Sequence, residues 1–172
     1  ALNCVSNGKL LRSGLFEDIF IQPAAGDAGG SLGSAMIAWY QYHNNKRKVS
    51  GKFDSMNGAY LGPSYSNEEI KEYLDENGYP YTKLQDNELP EIIADLINDQ
   101  NVIGWFQGRM EFGPRALGSR TIIGDARSKD TQKTINLKIK YRESFRPFAP
   151  SVLEEDVSKE FEINVKSPYM LL

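Results

Sequence analysis

Residues Gly108 to Ser151, GRMEFGPRALGSRTIIGDARSKDTQKTINLKIKYRESFRPFAPS, constrain this chain more than any other stretch. They hold six of its eight arginines: Arg109, Arg115, Arg120, Arg127, Arg142 and Arg146. Lys129, Lys133, Lys138 and Lys140 add to these, and only Glu111, Asp125, Asp130 and Glu143 oppose them, so the stretch is +6 within a chain of net charge −3. A basic island in an acidic chain concentrates field at one place, as a small anionic ligand or a local nucleic-acid contact requires. Gly108, Gly113, Pro114, Gly118 and Gly124 divide the island into tight turns. Glycines let backbone N–H groups come close to a ligand, and arginine forks match phosphate and carboxylate oxygens, so the stretch reads as an anion pocket.

The other chemistries open to 172 residues are narrowed by what the chain lacks. Cys4 is its one cysteine, which excludes an intramolecular disulfide framework and a cysteine-based zinc site. His43 is its one histidine, and the polar neighbours QYHNNKR place it at a solvated helix end rather than in a triad. No apolar run approaches a membrane span, and Ala1 onward lacks the pattern of a signal peptide, so a reducing cytoplasm is the expected setting.

In chain order, Glu17 to Gln22 (EDIFIQ) alternates apolar and polar residues up to Pro23 and predicts a short strand. PAAGDAGGSLGSAMIAWYQ follows as a glycine-rich turn opening a helix from about Ser31 to Tyr42. Strand, turn and helix N-terminus make a generic anion site, but the spacing matches neither a P-loop nor a dinucleotide fingerprint. Within it Asp27 reads locally as a cap or turn residue, with metal ligation or ribose contact as the alternatives. Asn44 to Asn57, rich in Lys46, Arg47, Lys48 and Lys52, predicts a linker.

Ser66 and Glu69 form a capping-box signature ahead of Ile70, Tyr73 and Leu74, and Gly78 stops that helix. A second amphipathic helix spans Pro90 to Asp99, followed by a buried strand at Val102 to Phe106 and another strand at Thr121 to Ile123. From Ser128 a helix is preferred over a strand, with Lys133, Asn136 and Lys140 on one face and Lys140 carried toward the loop RESFRPFAP. Trp105 and Phe112 read as core or pocket wall.

GRMEFGPRALGSRTIIGDAR, then INLKIKYRESFRPFAPSVL, and finally SPYMLL resemble the C-terminal region of the O-carbamoyltransferase family of nodulation and antibiotic-tailoring enzymes. ALNCVSNGKLLRSGLFEDIFIQPAAGDAGGSLGSAMIAW resembles the end of that family's N-terminal domain, of the ASKHA (actin and hexokinase-like) class. Ser119 stands where the family commonly has asparagine, and GDAR where ADPR is common.

The resemblance implies an α/β (α+β) chain: a YrdC-like twisted mixed sheet with flanking helices, preceded by a strand-turn-helix piece of an ASKHA-like domain. Its expected divisions are residues 1–45 for the ASKHA-like piece, 46–57 for the linker and 58–172 for a truncated YrdC-like domain. Similar full-length proteins carry further sequence before Ala1 and after Leu172, so a fragment is expected, with stand-alone activity left open.

The activity implied is ATP-dependent: carbamoyl phosphate and ATP form carbamoyl adenylate, and the carbamoyl group passes to a small-molecule hydroxyl acceptor. By motif matching, Arg115, Lys140 and Arg146 are assigned to the carbamoyl phosphate, adenylate and phosphate groups. Arg109, Arg120, Arg142, Gly113 and Gly118 are the cofactor-binding candidates, and for Arg109, Arg120, Arg127 and Arg142 ligand contact and scaffold pairing both stay open. Asp27 matches the family's late metal-binding aspartate, against its local reading. ATP with Mg2+ is the expected cofactor set, with Fe2+ a candidate in the ASKHA-like domain. No membrane partner is expected, and a homodimer covering exposed sheet edges is.

The competing class is a nucleic-acid-binding module that stacks bases on Phe112, Tyr141, Phe145 and Phe148. The compactness of the patch and the acidity of the chain count against it.

Overall fold

The structure, a computed structural model, describes residues 1–49 and 54–172. Lys52 and the middle of the expected 46–57 linker therefore lie outside the described residues. The chain is a mixture of helices with one small antiparallel sheet, an α/β protein by class. It divides into two compact units, one formed by Ala1–Ser64, Gln107–Ser119 and Val165–Leu172, the other by Tyr65–Phe106 and Arg120–Asn164.

In the first unit, α1 (Cys4–Arg12) starts where the Asn3 side chain accepts the Ser6 N–H at 2.9 Å and ends on Lys9 and Arg12, charges that suit the carbonyl end of a helix. Asn7 Nδ2 donates to the carbonyls of Ala1 (2.8 Å) and Leu171 (2.9 Å), so the last residues of the chain return to α1, where Leu171 is buried. Glu17 to Gln22 forms no strand. No described strand pairs with it, and the Ile19 N–H turns to the Asp18 carboxylate at 2.8 Å. Alternation marks a half-buried stretch, but a strand needs a partner for its backbone groups.

The following helix, α2 (Asp27–Ile37), begins four residues earlier than expected and continues as a π-helical turn, Ala38–Tyr42. Gly29 explains the early start. Its N–H bonds to the Ala24 carbonyl at 2.9 Å, and a Cβ there would lie 2.4 Å from that oxygen, so only glycine admits this approach. His43 is exposed just beyond Tyr42, as its polar neighbours indicate.

In the second unit, α3 (Asn67–Glu76) carries the capping box in full: Ser66 Oγ accepts the Glu69 N–H at 3.2 Å, and the Glu69 carboxylate accepts the Ser66 N–H at 2.7 Å. Gly78, at φ +65°, lies just past its end. Helix α4 (Leu89–Asn98), with Pro90 in its first turn, contacts the first strand. Strands β1 (Ile103–Phe106) and β2 (Arg120–Ile123) pair antiparallel, Ile103 opposite Ile123 and Phe106 opposite Arg120. Strand β1 is half-buried in alternation rather than buried throughout, and Phe106 is 51% exposed, because among the described residues β2 is its one sheet partner and one face stays open.

Helix α5 (Thr131–Thr134) runs on into a π-helical turn, Ile135–Ile139. Gly124 lets it sit against the end of β2, since a Cβ there would be 2.7 Å from Thr131 Cγ2 and 3.0 Å from Ile135 Cδ1. A short turn at Glu154–Asp156 leads into α6 (Val157–Glu160). Apolar side chains on α2, its π-helical turn and α3, including Ile37, Trp39, Ile70 and Tyr73, remain exposed, so these apolar faces are not closed by the residues described. No described helix is long and apolar enough to cross a membrane.

Candidate active site

The sequence candidates divide between the two units. Asp27, Arg109, Gly113, Arg115 and Gly118 belong to the first, and Arg120, Lys140, Arg142 and Arg146 to the second.

In the first unit the FGPRALG motif sits on a loop, Gln107–Ser119, whose mouth is closed by the Gln107 N–H on the Ser119 carbonyl at 3.0 Å. Its interior is organised by Glu111. That buried carboxylate accepts the N–H groups of Leu117 (2.7 Å) and Ser119 (2.8 Å) on one oxygen. A carboxylate buried within a protein needs such donors, and two loop amides are thereby committed to it. The loop's outer edge is sewn to residues 59–63 by Phe112 N–H on the Ala59 carbonyl (2.6 Å), Gly62 N–H on the Met110 carbonyl (2.9 Å) and Met110 N–H on the Pro63 carbonyl (2.9 Å). The Tyr60 hydroxyl adds a 2.6 Å bond to the Leu117 carbonyl.

Gly113 and Gly118 adopt φ +123° and +108°, conformations that side chains resist. At Gly113 the space of a Cβ is taken by Ala24 and the Pro23 carbonyl, 3.1 to 3.3 Å away. Its glycine is thus required by the fold itself. Arg115 is half-buried and anchored through Nη2 to the Leu2 carbonyl at 2.7 Å, while its Nε is buried with no hydrogen-bond partner. A buried guanidinium nitrogen left without an acceptor is costly, and an anion is the acceptor that suits it. Arg109 is exposed, with Nη2 at 3.4 Å from the Leu61 carbonyl.

Asp27 is exposed in the first turn of α2, one residue inside the helix, where Gly26 is the cap residue. Among the described residues no group of three or more histidine, cysteine, aspartate or glutamate side chains could hold a metal ion. Asp27 offers one carboxylate, and these residues do not make a metal centre on their own.

In the second unit, helix α5 and its π turn present Gln132 and Asn136 to the loop that follows. Gln132 Nε2 donates to the carbonyls of Phe145 (3.1 Å) and Arg146 (3.0 Å). Asn136, whose side chain is fully buried, donates through Nδ2 to the carbonyls of Ser144 (3.2 Å) and Arg146 (2.8 Å) and accepts Arg142 Nε at 2.6 Å. The Arg142 guanidinium also lies over the Phe148 ring, 4.9 Å from its centre. Lys140 is exposed at the end of the π turn, which its N–H closes on the Ile135 carbonyl at 2.9 Å.

The common face expected for Lys133, Asn136 and Lys140 does not form: Asn136 points inward while both lysines are exposed, because the π turn shifts the register that a regular helix would give. Arg146 pairs with Glu143, Nε to Oε2 at 2.9 Å, with both side chains about half exposed. Glu143 is held below its ordinary pKa first by its own backbone N–H and then by Arg146. A pair this open is weak and readily exchanged for a ligand. Arg127 is scaffold. Its guanidinium and backbone N–H both bind Asp125, whose carboxyl they hold well below the usual carboxylate range.

Glu111, Gln132 and Asn136 were not singled out as site residues by sequence reasoning. The one available signal was the i,i+4 spacing of Gln132 and Asn136 beside a loop of arginines.

What the fold defines is an α/β chain that carries Arg109 and Arg115 on one internally braced loop and Arg142 and Arg146 on another. The profile of the carbamoyltransferase C-terminus matches residues 94–172, and that of the carbamoyltransferase N-terminus matches residues 1–36. The chain belongs to the carbamoyltransferase family. An uncharacterized protein of Synechocystis sp. is 58% identical over 174 residues, covering 100% of this chain and 28% of the relative. The nodulation protein NolO of Bradyrhizobium diazoefficiens is 45% identical, over 95% of this chain and 29% of NolO. A 3'-hydroxymethylcephem-O-carbamoyltransferase of Streptomyces clavuligerus is 30% identical, over 99% of this chain and 30% of the enzyme. The chain thus spans less than a third of the length of each of these relatives.

Proposed function

We propose that this chain is the part of an ATP-dependent O-carbamoyltransferase that binds carbamoyl phosphate and ATP, forming carbamoyl adenylate for transfer to a hydroxyl acceptor. The reading takes carbamoyl transfer from the named activity of the cephem-modifying relative and adds the two anionic substrates. The observation that carries it is Arg115, whose Nε is buried without an acceptor on a loop that Glu111 and Tyr60 brace. A phosphate oxygen is a charge-assisted acceptor for a guanidinium nitrogen, stronger than a neutral one.

In this reading residues 1–45 are the ASKHA-like piece, 46–57 the linker and 58–172 a YrdC-like domain. Water cleaves carbamoyl phosphate to carbamate and inorganic phosphate, and a carbamate oxygen then attacks the α-phosphorus of ATP with release of pyrophosphate; this brings two anions together, so the work of the site is to screen charge and fix position. Arg115, Lys140 and Arg146 do this at the carbamoyl phosphate and adenylate. Arg109, Arg120 and Arg142 hold ATP phosphates, and Gly113 and Gly118 keep the loop's turns open. No nucleophilic side chain is required. ATP would bring Mg2+ held mainly by its own phosphates, and the chemistry that the ion would supply is charge neutralisation there. Asp27 contributes one carboxylate to a metal whose other ligands lie outside these residues.

The experiment is to incubate the full-length protein with ATP, Mg2+ and carbamoyl phosphate without acceptor and to follow pyrophosphate. Release that depends on carbamoyl phosphate supports adenylate formation. Folded protein that releases none under any combination overturns it.

A further inference from the structure

We propose that Asn136 is a positioning residue that aims Arg142 at the anionic substrate, a role that rests on the reading above. Its side chain is wholly buried, and every polar atom on it is used for the same loop. Nδ2 spends its two hydrogens on the carbonyls of Ser144 and Arg146 at 3.2 and 2.8 Å. Oδ1 accepts Arg142 Nε at 2.6 Å, and the Asn136 carbonyl accepts the Arg142 N–H at 3.0 Å. The partners fix the orientation of the amide, since carbonyl oxygens need the NH2 group and Nε needs the oxygen.

Arg142 is therefore gripped at its backbone and at Nε, and its guanidinium lies over Phe148. Its terminal Nη1 and Nη2 atoms have no hydrogen-bond partner among the described residues. An arginine that only braced the fold would spend its fork on the fold, as Arg127 does with Asp125. Arg142 instead has its stem fixed and its fork unspent, which lowers the ordering entropy lost when two phosphate oxygens engage it. Asn136 holds that stem. Aspartate at this position would keep the bond to Nε but set a carboxylate oxygen against two carbonyl oxygens, and alanine would release all of them.

The test is a double-mutant cycle in the full-length protein, Asn136→Ala and Arg142→Ala, read by calorimetric titration with ATP and Mg2+ and with carbamoyl phosphate. Hydrogen exchange of residues 141–148 is followed in parallel. Asn136→Ala is expected to weaken binding of one of these ligands about tenfold when Arg142 is present and less than about twofold when it is absent, within the range of coupling between contacting residues. Asn136→Asp is expected to accelerate exchange in the loop. Equal loss in both backgrounds, or no loss in either, overturns the proposal.

Should the Asn136 variants not fold, Gln132→Ala, an exposed residue holding the same Arg146 carbonyl, is expected to give the same dependence on Arg142 at smaller size. Equal effects with and without Arg142 overturn the proposal there too. A folded wild-type protein that binds neither ligand refutes the functional reading. In that case unchanged loop exchange in Asn136→Ala refutes the positioning role as well, whereas accelerated exchange upholds its structural half.

Discussion

The Arg127 guanidinium grips both oxygens of the Asp125 carboxylate, Nε on Oδ1 and Nη2 on Oδ2, each at 2.9 Å. Asp125 is buried at the end of β2, and Gln100, just beyond α4, donates to the same carboxylate at 2.7 Å. Arg127 Nη2 also reaches the Asn98 side chain at 2.9 Å, so one carboxylate ties the end of α4 to the end of the hairpin.

This lock sets a pH dependence. The folded-state pKa of Asp125 is depressed, so its contribution is complete above the unfolded aspartate value of about 3.9 and is lost as pH falls below that value toward the folded one. Thermal midpoints measured from pH 7 down to pH 2.5 should fall in the acid range, and Asp125→Asn should lower the neutral midpoint while flattening the acid slope. An acid slope unchanged in the variant would mean that other carboxylates set it.

Two glycines should respond to alanine in opposite directions. Gly113 holds φ +123° with Ala24 and Pro23 in its Cβ space, so Gly113→Ala should cost about 1–3 kcal/mol. Gly30 is helical with nothing near its absent Cβ, so Gly30→Ala should stabilise by up to about 1 kcal/mol. Urea denaturation of both variants checks the pair.

Glu111 supports the FGPRALG loop from inside. Glu111→Ala leaves the Leu117 and Ser119 N–H groups without their acceptor, at about 1–3 kcal/mol for a stranded buried donor. Those two amides should exchange faster in the variant while the Ser66 cap region does not change, a contrast that amide exchange with peptide mapping reads directly.

The parts legible in the sequence were those whose signal is local. Ser66 and Glu69 announce their cap within four residues, and Ile92, Ile93 and Leu96 announce α4 by spacing. What misled was whatever depends on partners far along the chain. EDIFIQ alternates as a strand should, but has no strand beside it among the described residues. Helix α1, with Ser6, Asn7 and Gly8 inside it, carries little helix propensity, and the returning chain end packs against it through Asn7.

At the candidate site the arginines were visible from charge, whereas their division of labour was not. Arg127 differs from Arg142 in what surrounds its fork, which no spacing reports. Asn136 reads in sequence as one more polar residue among lysines, and only the π turn at Ile135–Ile139 reveals it as the buried anchor of the following loop.

The measurement that bears most directly on the account is calorimetric titration of the protein with carbamoyl phosphate, with and without ATP and Mg2+, on wild type and Arg115→Ala. The account predicts binding by the wild type and a loss of at least about tenfold in the variant with its fold intact, the scale of one charged hydrogen bond removed. Equal affinity in the two proteins would contradict it, placing the anion elsewhere and leaving Arg115 Nε buried for some other reason.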